Sequence, residues 1–174
     1  MTDPAQPLTP TLPAGTAPLP GRRPGAAAHV LTSLPDAVRA SLGPVAGFLD
    51  TVFAAAPYLA RLSQRRPDTL QACLIETPDR LIAMAIDNLR IAGAGAPDAA
   101  ALDTALREAK SDAHLVTALA DLAGVWDVRA VTAAMIRVAD AAVQGGLHAG
   151  VRFLAGQGKA DPGTDPDKPI LGVF

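Results

Sequence analysis

The residues in this chain that could do chemistry are few. Gly156-Gln157-Gly158-Lys159 has the glycines and lysine of a phosphate-binding loop. That loop needs a preceding strand, a longer spacing and a hydroxyl residue after the lysine to reach magnesium, and none of these is present. Asp161, Asp165 and Asp167 could suggest a calcium loop, yet the prolines between them break the alternation of ligands and no terminal glutamate follows. They read as a solvated turn. His29, His114 and His148 are too far apart in sequence for the one-turn spacing that builds a local metal site. Cys73 is the only cysteine and sits among leucines, where a thiol acts as a small hydrophobe rather than a nucleophile. Ser63, Ser111 and Thr132 have no base near them. Arg61, Arg65 and Arg66, with Arg80 and Arg90, are the one basic grouping, and such a grouping reads first as a solvated helical face and second as a docking surface. No set of these residues could run a reaction alone.

The elements that must position them are helices. The chain is rich in alanine and leucine and poor in aromatics, and its β-branched residues are scattered rather than alternating, so the expected class is all-α, a helical bundle. Residues 1–33 hold seven prolines and little apolar bulk, too little to repay the entropy of ordering, and read as a disordered leader. Residues 34–155 form the expected helical domain, and 156–174 a loop leading to an apolar, strand-like segment, Ile170-Leu171-Gly172-Val173-Phe174, with no partner strand.

Starts and stops divide the helical domain. A short helix is expected from Pro35-Asp36 to Leu42, broken by Gly43-Pro44, and a second from Val45 to about Ala55. Pro57, Pro67 and Pro78 mark three successive starts, because the missing proline N–H is harmless in a first helical turn. Thr77 can cap the third, with Ile82, Ala85, Ile86 and Leu89 on its buried face and Gly93 and Gly95 as its stop. Pro97-Asp98 should begin a long helix to Leu122 with a face of Leu102, Leu106, Ala109, Ala113, Val116 and Ala120, widened by Leu115, Leu119 and Leu122. Gly124 suits a left-handed C-cap, Asp127 the next N-cap, and Trp126 a hydrophobic staple onto Val131. The last helix should carry a seam of Val128, Val131, Met135, Val138 and Ala142, extended by Leu147, Val151 and Leu154 if Gly145-Gly146 bends it without ending it.

The formal charge of −2, with both signs interspersed, recommends neither nucleic acid nor a cationic partner. No run approaches the length of a membrane-spanning helix, and a single free thiol suits a reducing compartment, so the expected location is cytoplasmic.

One stretch carries a resemblance. Leu106-Arg107 with Lys110, then LVTALADLAGVW over residues 115–126, Asp127-Val128, Val131-Thr132 and Ala139-Asp140 resemble the N-terminal helical region of the glutamine-synthetase adenylyltransferase/adenylyl-removing enzyme family. Upstream, Ala56-Pro57-Tyr58-Leu59-Ala60-Arg61-Leu62 with Arg66-Pro67 is similar to the segment that opens that region, so the resemblance covers roughly residues 55–174. It implies an enzyme that attaches AMP from ATP to a tyrosine of glutamine synthetase and removes it by phosphorolysis, regulated by glutamine and a PII signalling protein. It further implies that the segment at Ile170–Phe174 leads into a glycine loop and a Ser-Asp-Ile-Asp motif, whose acids hold the magnesium of a nucleotidyltransferase site. Those motifs lie beyond Phe174, so the resemblance assigns no catalytic, cofactor-binding or metal-ligating residue to this chain. The expectation is a fragment inactive without the missing domain. The alternative is a non-catalytic helical module that binds glutamine synthetase or the PII protein.

Overall fold

The structure, a computed structural model, describes residues 28–159. Among them every regular element is helical: α1 (Ala28–Thr32), α2 (Asp36–Ser41), a 3-10 turn (Gly43–Val45), α3 (Ala46–Ala55), α4 (Pro57–Arg65), α5 (Pro67–Ile75), α6 (Pro78–Gly95), α7 (Ala99–Leu122) and α8 (Val128–Gly156). The all-α expectation holds. The strand-like segment at 170–174 and the leader up to residue 27 lie outside the described residues.

The leader boundary at residue 33 needs correction. Ala28–Thr32 is a helix, Val30 and Leu34 are buried, and Gln64 Nε2 donates to Ser33 Oγ at 2.7 Å. Val30 and Leu34 are the apolar anchors of this start, so the helical domain begins before residue 34.

The three proline starts fall where the sequence places them, at Pro57, Pro67 and Pro78. Thr77, Asp98 and Asp127 each accept a hydrogen bond from the backbone N–H three residues on, at 3.3, 2.8 and 2.8 Å, and so satisfy one orphan donor of α6, α7 and α8. The end of α7 is a Schellman motif. Gly124 has φ +71°, Val125 N–H donates to Ala120 O at 2.9 Å, and Gly124 N–H donates to Asp121 O at 2.9 Å.

The chain divides into two compact units, and α6, α7 and α8 contribute residues to both. The first unit takes the described residues through Ile82 together with Ser111–Met135. In it α3 packs on α1 and α4, and α2 packs on α5. Its core includes Phe48, Leu49, Phe53, Leu62 and Leu70, joined by Leu115, Val116 and Leu119 from α7 and by Trp126. Leu122, expected to widen the α7 face, is half exposed at the last residue of the helix, although it lies on the same side as Leu115 and Leu119.

The second unit takes Ala83–Lys110 and the described residues from Ile136 onward. Here two glycine readings change. Gly93 lies inside α6, which runs to Gly95, and α8 passes through Gly145-Gly146 without ending. A Cβ on Gly93 would lie 2.5 Å from the Cα of Gly145, and one on Gly145 would lie 2.9 Å from the carbonyl oxygen of Leu89. Two helix backbones touch at this point, and only glycine leaves room for them.

That contact also explains the seam of α8. The buried line is Ala134, Val138, Ala141, Gly145 and Ala149. Val128, Leu147 and Leu154 from the expected seam are exposed, and Leu147 and Leu154 share an outer face with Ile136 and Val143. Close backbone approach selects small residues for the inner line, so side-chain size misdirects the choice of face. On α6 the expected face of Ile82, Ala85, Ile86 and Leu89 is buried.

Candidate functional site

The densest polar constellation among the described residues is in the first unit, where α4 hands over to α5. Arg66, in the break between them, donates from Nε to Asp112 Oδ1 and from Nη2 to Asp112 Oδ2, both at 2.7 Å. Thr69 Oγ1 donates to Asp112 Oδ1 at 2.6 Å. The arginine and aspartate side chains are 27% and 21% exposed, so the paired fork is only partly screened by solvent. It ties the α4–α5 corner to α7. Three donors on one carboxylate give the aspartate a bracing role between elements.

Cys73 lies one turn beyond Thr69 on α5 and is buried. Burial and, second to it, the Asp112 charge push its thiol up to about 12 against the opposing pull of a backbone hydrogen bond. At neutral pH the sulfur is a protonated core group, as its neighbours in sequence suggest. Native protein at pH 8 should therefore react with a disulfide reagent only as fast as it opens, and denatured protein at once. A fast native reaction would place the thiol at the surface. Because the folded value lies above the unfolded one, the neutral thiol's contribution is intact below about pH 9 and is lost as pH rises toward 12.

The second prediction at this cluster concerns its carboxylate. Asp112→Ala leaves a partly buried guanidinium without its partner and should cost about 2 kcal/mol, measured by urea unfolding. A loss below about 0.5 kcal/mol would reduce the fork to a surface ion pair.

The other expected candidates do not assemble. Ser63 is fully buried, and its Oγ has no hydrogen-bond partner among the described residues. Thr132 Oγ1 is spent on the carbonyl of Val128 at 2.7 Å. His29 is exposed on α1, and His114 Nδ1 meets the phenol oxygen of Tyr58 at 3.3 Å. Ser111 and His148 are half-buried on α7 and α8. Among the described residues no three His, Cys, Asp or Glu side chains could hold one metal ion. The basic grouping does not act as one surface. Arg66 serves Asp112, Arg80 in the first turn of α6 pairs with Glu76 at the end of α5, and Arg90 belongs to the second unit and pairs with Asp87. Arg61 and Arg65 are exposed on α4.

Gly156-Gln157-Gly158-Lys159 has a structural job instead of a phosphate. Gly158 has φ +68°, Gly158 N–H donates to Ala155 O at 3.0 Å, and Lys159 N–H donates to Leu154 O at 2.9 Å. This is a second Schellman cap, and its amides point back into α8. Asp161, Asp165 and Asp167 lie outside the described residues. No helix among those described is long and apolar enough to cross a membrane.

Sequence reasoning missed the Arg66–Asp112 fork, whose partners stand 46 residues apart and carry no local signal. It also missed the donation from Arg152 Nη2 to the carbonyl of Ala96 at 2.8 Å, which closes the end of α6.

The helical region is similar to known proteins along most of its length. The family model described as Glutamate-ammonia ligase adenylyltransferase matches residues 47–171. Bifunctional glutamine synthetase adenylyltransferase/adenylyl-removing enzymes are 40% identical over 129 residues in Caulobacter vibrioides and 40% identical over 116 residues in Bradyrhizobium diazoefficiens. A Rhizobium meliloti relative of the same description is 32% identical over 147 residues. These matches take in 74%, 67% and 77% of this chain but only 13%, 12% and 15% of the relatives. No solved structure matches. With the family match beginning in α3 and running through the capped end of α8, the chain belongs to the glutamate-ammonia ligase adenylyltransferase family.

Proposed function

We propose that this chain is the leading helical scaffold of an enzyme that adenylylates and deadenylylates a tyrosine of glutamine synthetase, and that it carries no catalytic group of its own. The observation that carries the reading is the family match over residues 47–171, joined to relatives whose printed names state both activities. The magnesium and ATP that such chemistry uses would belong to the nucleotidyltransferase domain. The chain's own part is positional. Capped helices and the Arg66–Asp112 fork give a firm mount on which a following nucleotidyltransferase domain can sit, and one face can meet glutamine synthetase. A PII signalling protein is proposed as the regulatory partner of the whole enzyme, in the cytoplasm.

The test begins with the DNA immediately downstream of Phe174. A continuing frame that encodes a glycine loop and paired aspartates supports the reading, and a stop with no such sequence nearby counts against it. The purified chain, given glutamine synthetase, ATP and magnesium, should transfer no AMP. Transfer by the 174-residue chain alone would refute the scaffold role.

A further inference from the structure

In the second unit, the end of α6, the start of α7 and the last turns of α8 enclose an open cavity of about 480 Å³. Its wall is apolar at Ala96, Pro97, Ala99 and Phe153, and charged at Asp98 and Arg152. This size lies within the range of small-molecule clefts, roughly 300–1,000 Å³.

Arg152 is the unexplained group. Five other arginines, Arg39, Arg66, Arg80, Arg90 and Arg107, pair with carboxylates. Arg152 is half-buried and pairs with none among the described residues. Its Nη2 serves the carbonyl of Ala96, its guanidinium carbon lies 5.3 Å from the centroid of the Phe153 ring, and its Nε is shut off from solvent with no acceptor among the described residues. A carbonyl and a ring face stabilise a cation, but neither neutralises it, and a half-buried charge without a counter-ion is costly. Asp98 does not supply the counter-ion, because its Oδ1 is held by the Ala101 N–H as the cap of α7.

We propose that this pocket seats a monocarboxylate with a short hydrocarbon part, its oxygens on the guanidinium of Arg152 and its carbons against Phe153 and Pro97. A carboxylate supplies the one negative charge that the guanidinium lacks among the described residues. The Asp98 carboxylate in the same wall disfavours a dianion such as phosphate. The carboxylate comes either from a free acid or from a glutamate side chain of a docking peptide.

The test is a titration of the full chain followed by NMR at the Arg152 Nε–H signal, which has no hydrogen-bond partner among the described residues. Sodium butyrate represents the free acid, a capped and amidated peptide with one glutamate represents the protein source, and inorganic phosphate is the dianion control. Saturable shifts with butyrate or with the peptide support the proposal and identify the source. Binding should weaken at least about tenfold in Arg152→Met, read from backbone shifts around Ala99. It should weaken equally in Ala99→Leu, which fills the pocket from an exposed position while keeping the arginine. Circular dichroism verifies that both variants are folded. No saturable shift with either probe, unchanged binding in the variants, or phosphate binding as tightly as butyrate would each overturn the proposal.

Discussion

Gly93→Ala is expected to destabilise the chain by about 3 kcal/mol, despite adding a better helix former. In an open helix the same change would gain about 1 kcal/mol, because alanine loses less backbone entropy than glycine. Here the new methyl would meet the Cα, O and C atoms of Gly145 at 2.5, 2.8 and 3.1 Å. All three belong to backbone, so no side chain can swing aside, and relief requires α6 and α8 to separate. Overpacking of this kind usually costs about 1–3 kcal/mol, and the upper end applies when backbone must move. The control is Gly146→Ala, one residue along α8 from the contact, where a Cβ meets nothing within 4 Å. It should be neutral or stabilising by up to about 1 kcal/mol. Urea unfolding of both variants decides the matter. Equal stability of Gly93→Ala and the wild type would mean the helices do not touch there.

The second large effect is at the corner between α7 and α8. Trp126 is the only tryptophan and is 5% exposed, just before the Asp127 cap and two residues after the left-handed Gly124. Trp126→Ala removes the largest buried side chain from a turn whose backbone is already fixed on both sides by hydrogen bonds. The backbone cannot collapse into the space, so a cavity remains and the cost should be about 3–5 kcal/mol. Circular dichroism in guanidinium measures it, since the substitution removes the fluorophore. A cost below about 1 kcal/mol would show that the ring contributes surface cover rather than core. In the wild type, the emission of this residue should be that of a shielded indole and should shift to the red on unfolding.

The parts of the fold legible in the sequence were those written in local chemistry. Proline in a first turn, a short polar cap three residues before an amide, and a glycine that accepts positive φ each act within one turn of chain. They place Pro57, Pro67, Pro78, Asp98, Asp127 and Gly124 correctly. The features misread depend on what lies across a gap. The α8 seam expected at Val128, Val131, Met135, Val138, Ala142, Leu147, Val151 and Leu154 follows the large apolar residues, and of these Val138 is buried while Val128, Leu147 and Leu154 are exposed. The buried line runs instead through Ala141, Gly145 and Ala149, and at Gly145 the α6 backbone comes so near that only glycine fits. Gly93 read as a stop for the same reason, since a contact glycine and a terminating glycine look alike until the second helix is known. At the candidate site, the inert character of Cys73 was visible from its leucine neighbours, whereas the Asp112 carboxylate beside it was not, because it arrives from 39 positions further along the chain. The four residues ending α8 carried a misleading likeness to a phosphate loop, because glycine is needed equally to approach a phosphate and to terminate a helix.

The paired glycines have a consequence at the level of the gene. Every missense change reachable from a glycine codon by one base introduces a residue with a Cβ, whether alanine, serine, valine, cysteine, aspartate, glutamate, arginine or tryptophan. Alanine is the smallest of these, and at position 93 it already overlaps the opposite backbone. Codons 93 and 145 therefore have no conservative neighbour in mutational space. A population drifting by single-base steps can change them only silently, or through a second substitution elsewhere that moves the helices apart first.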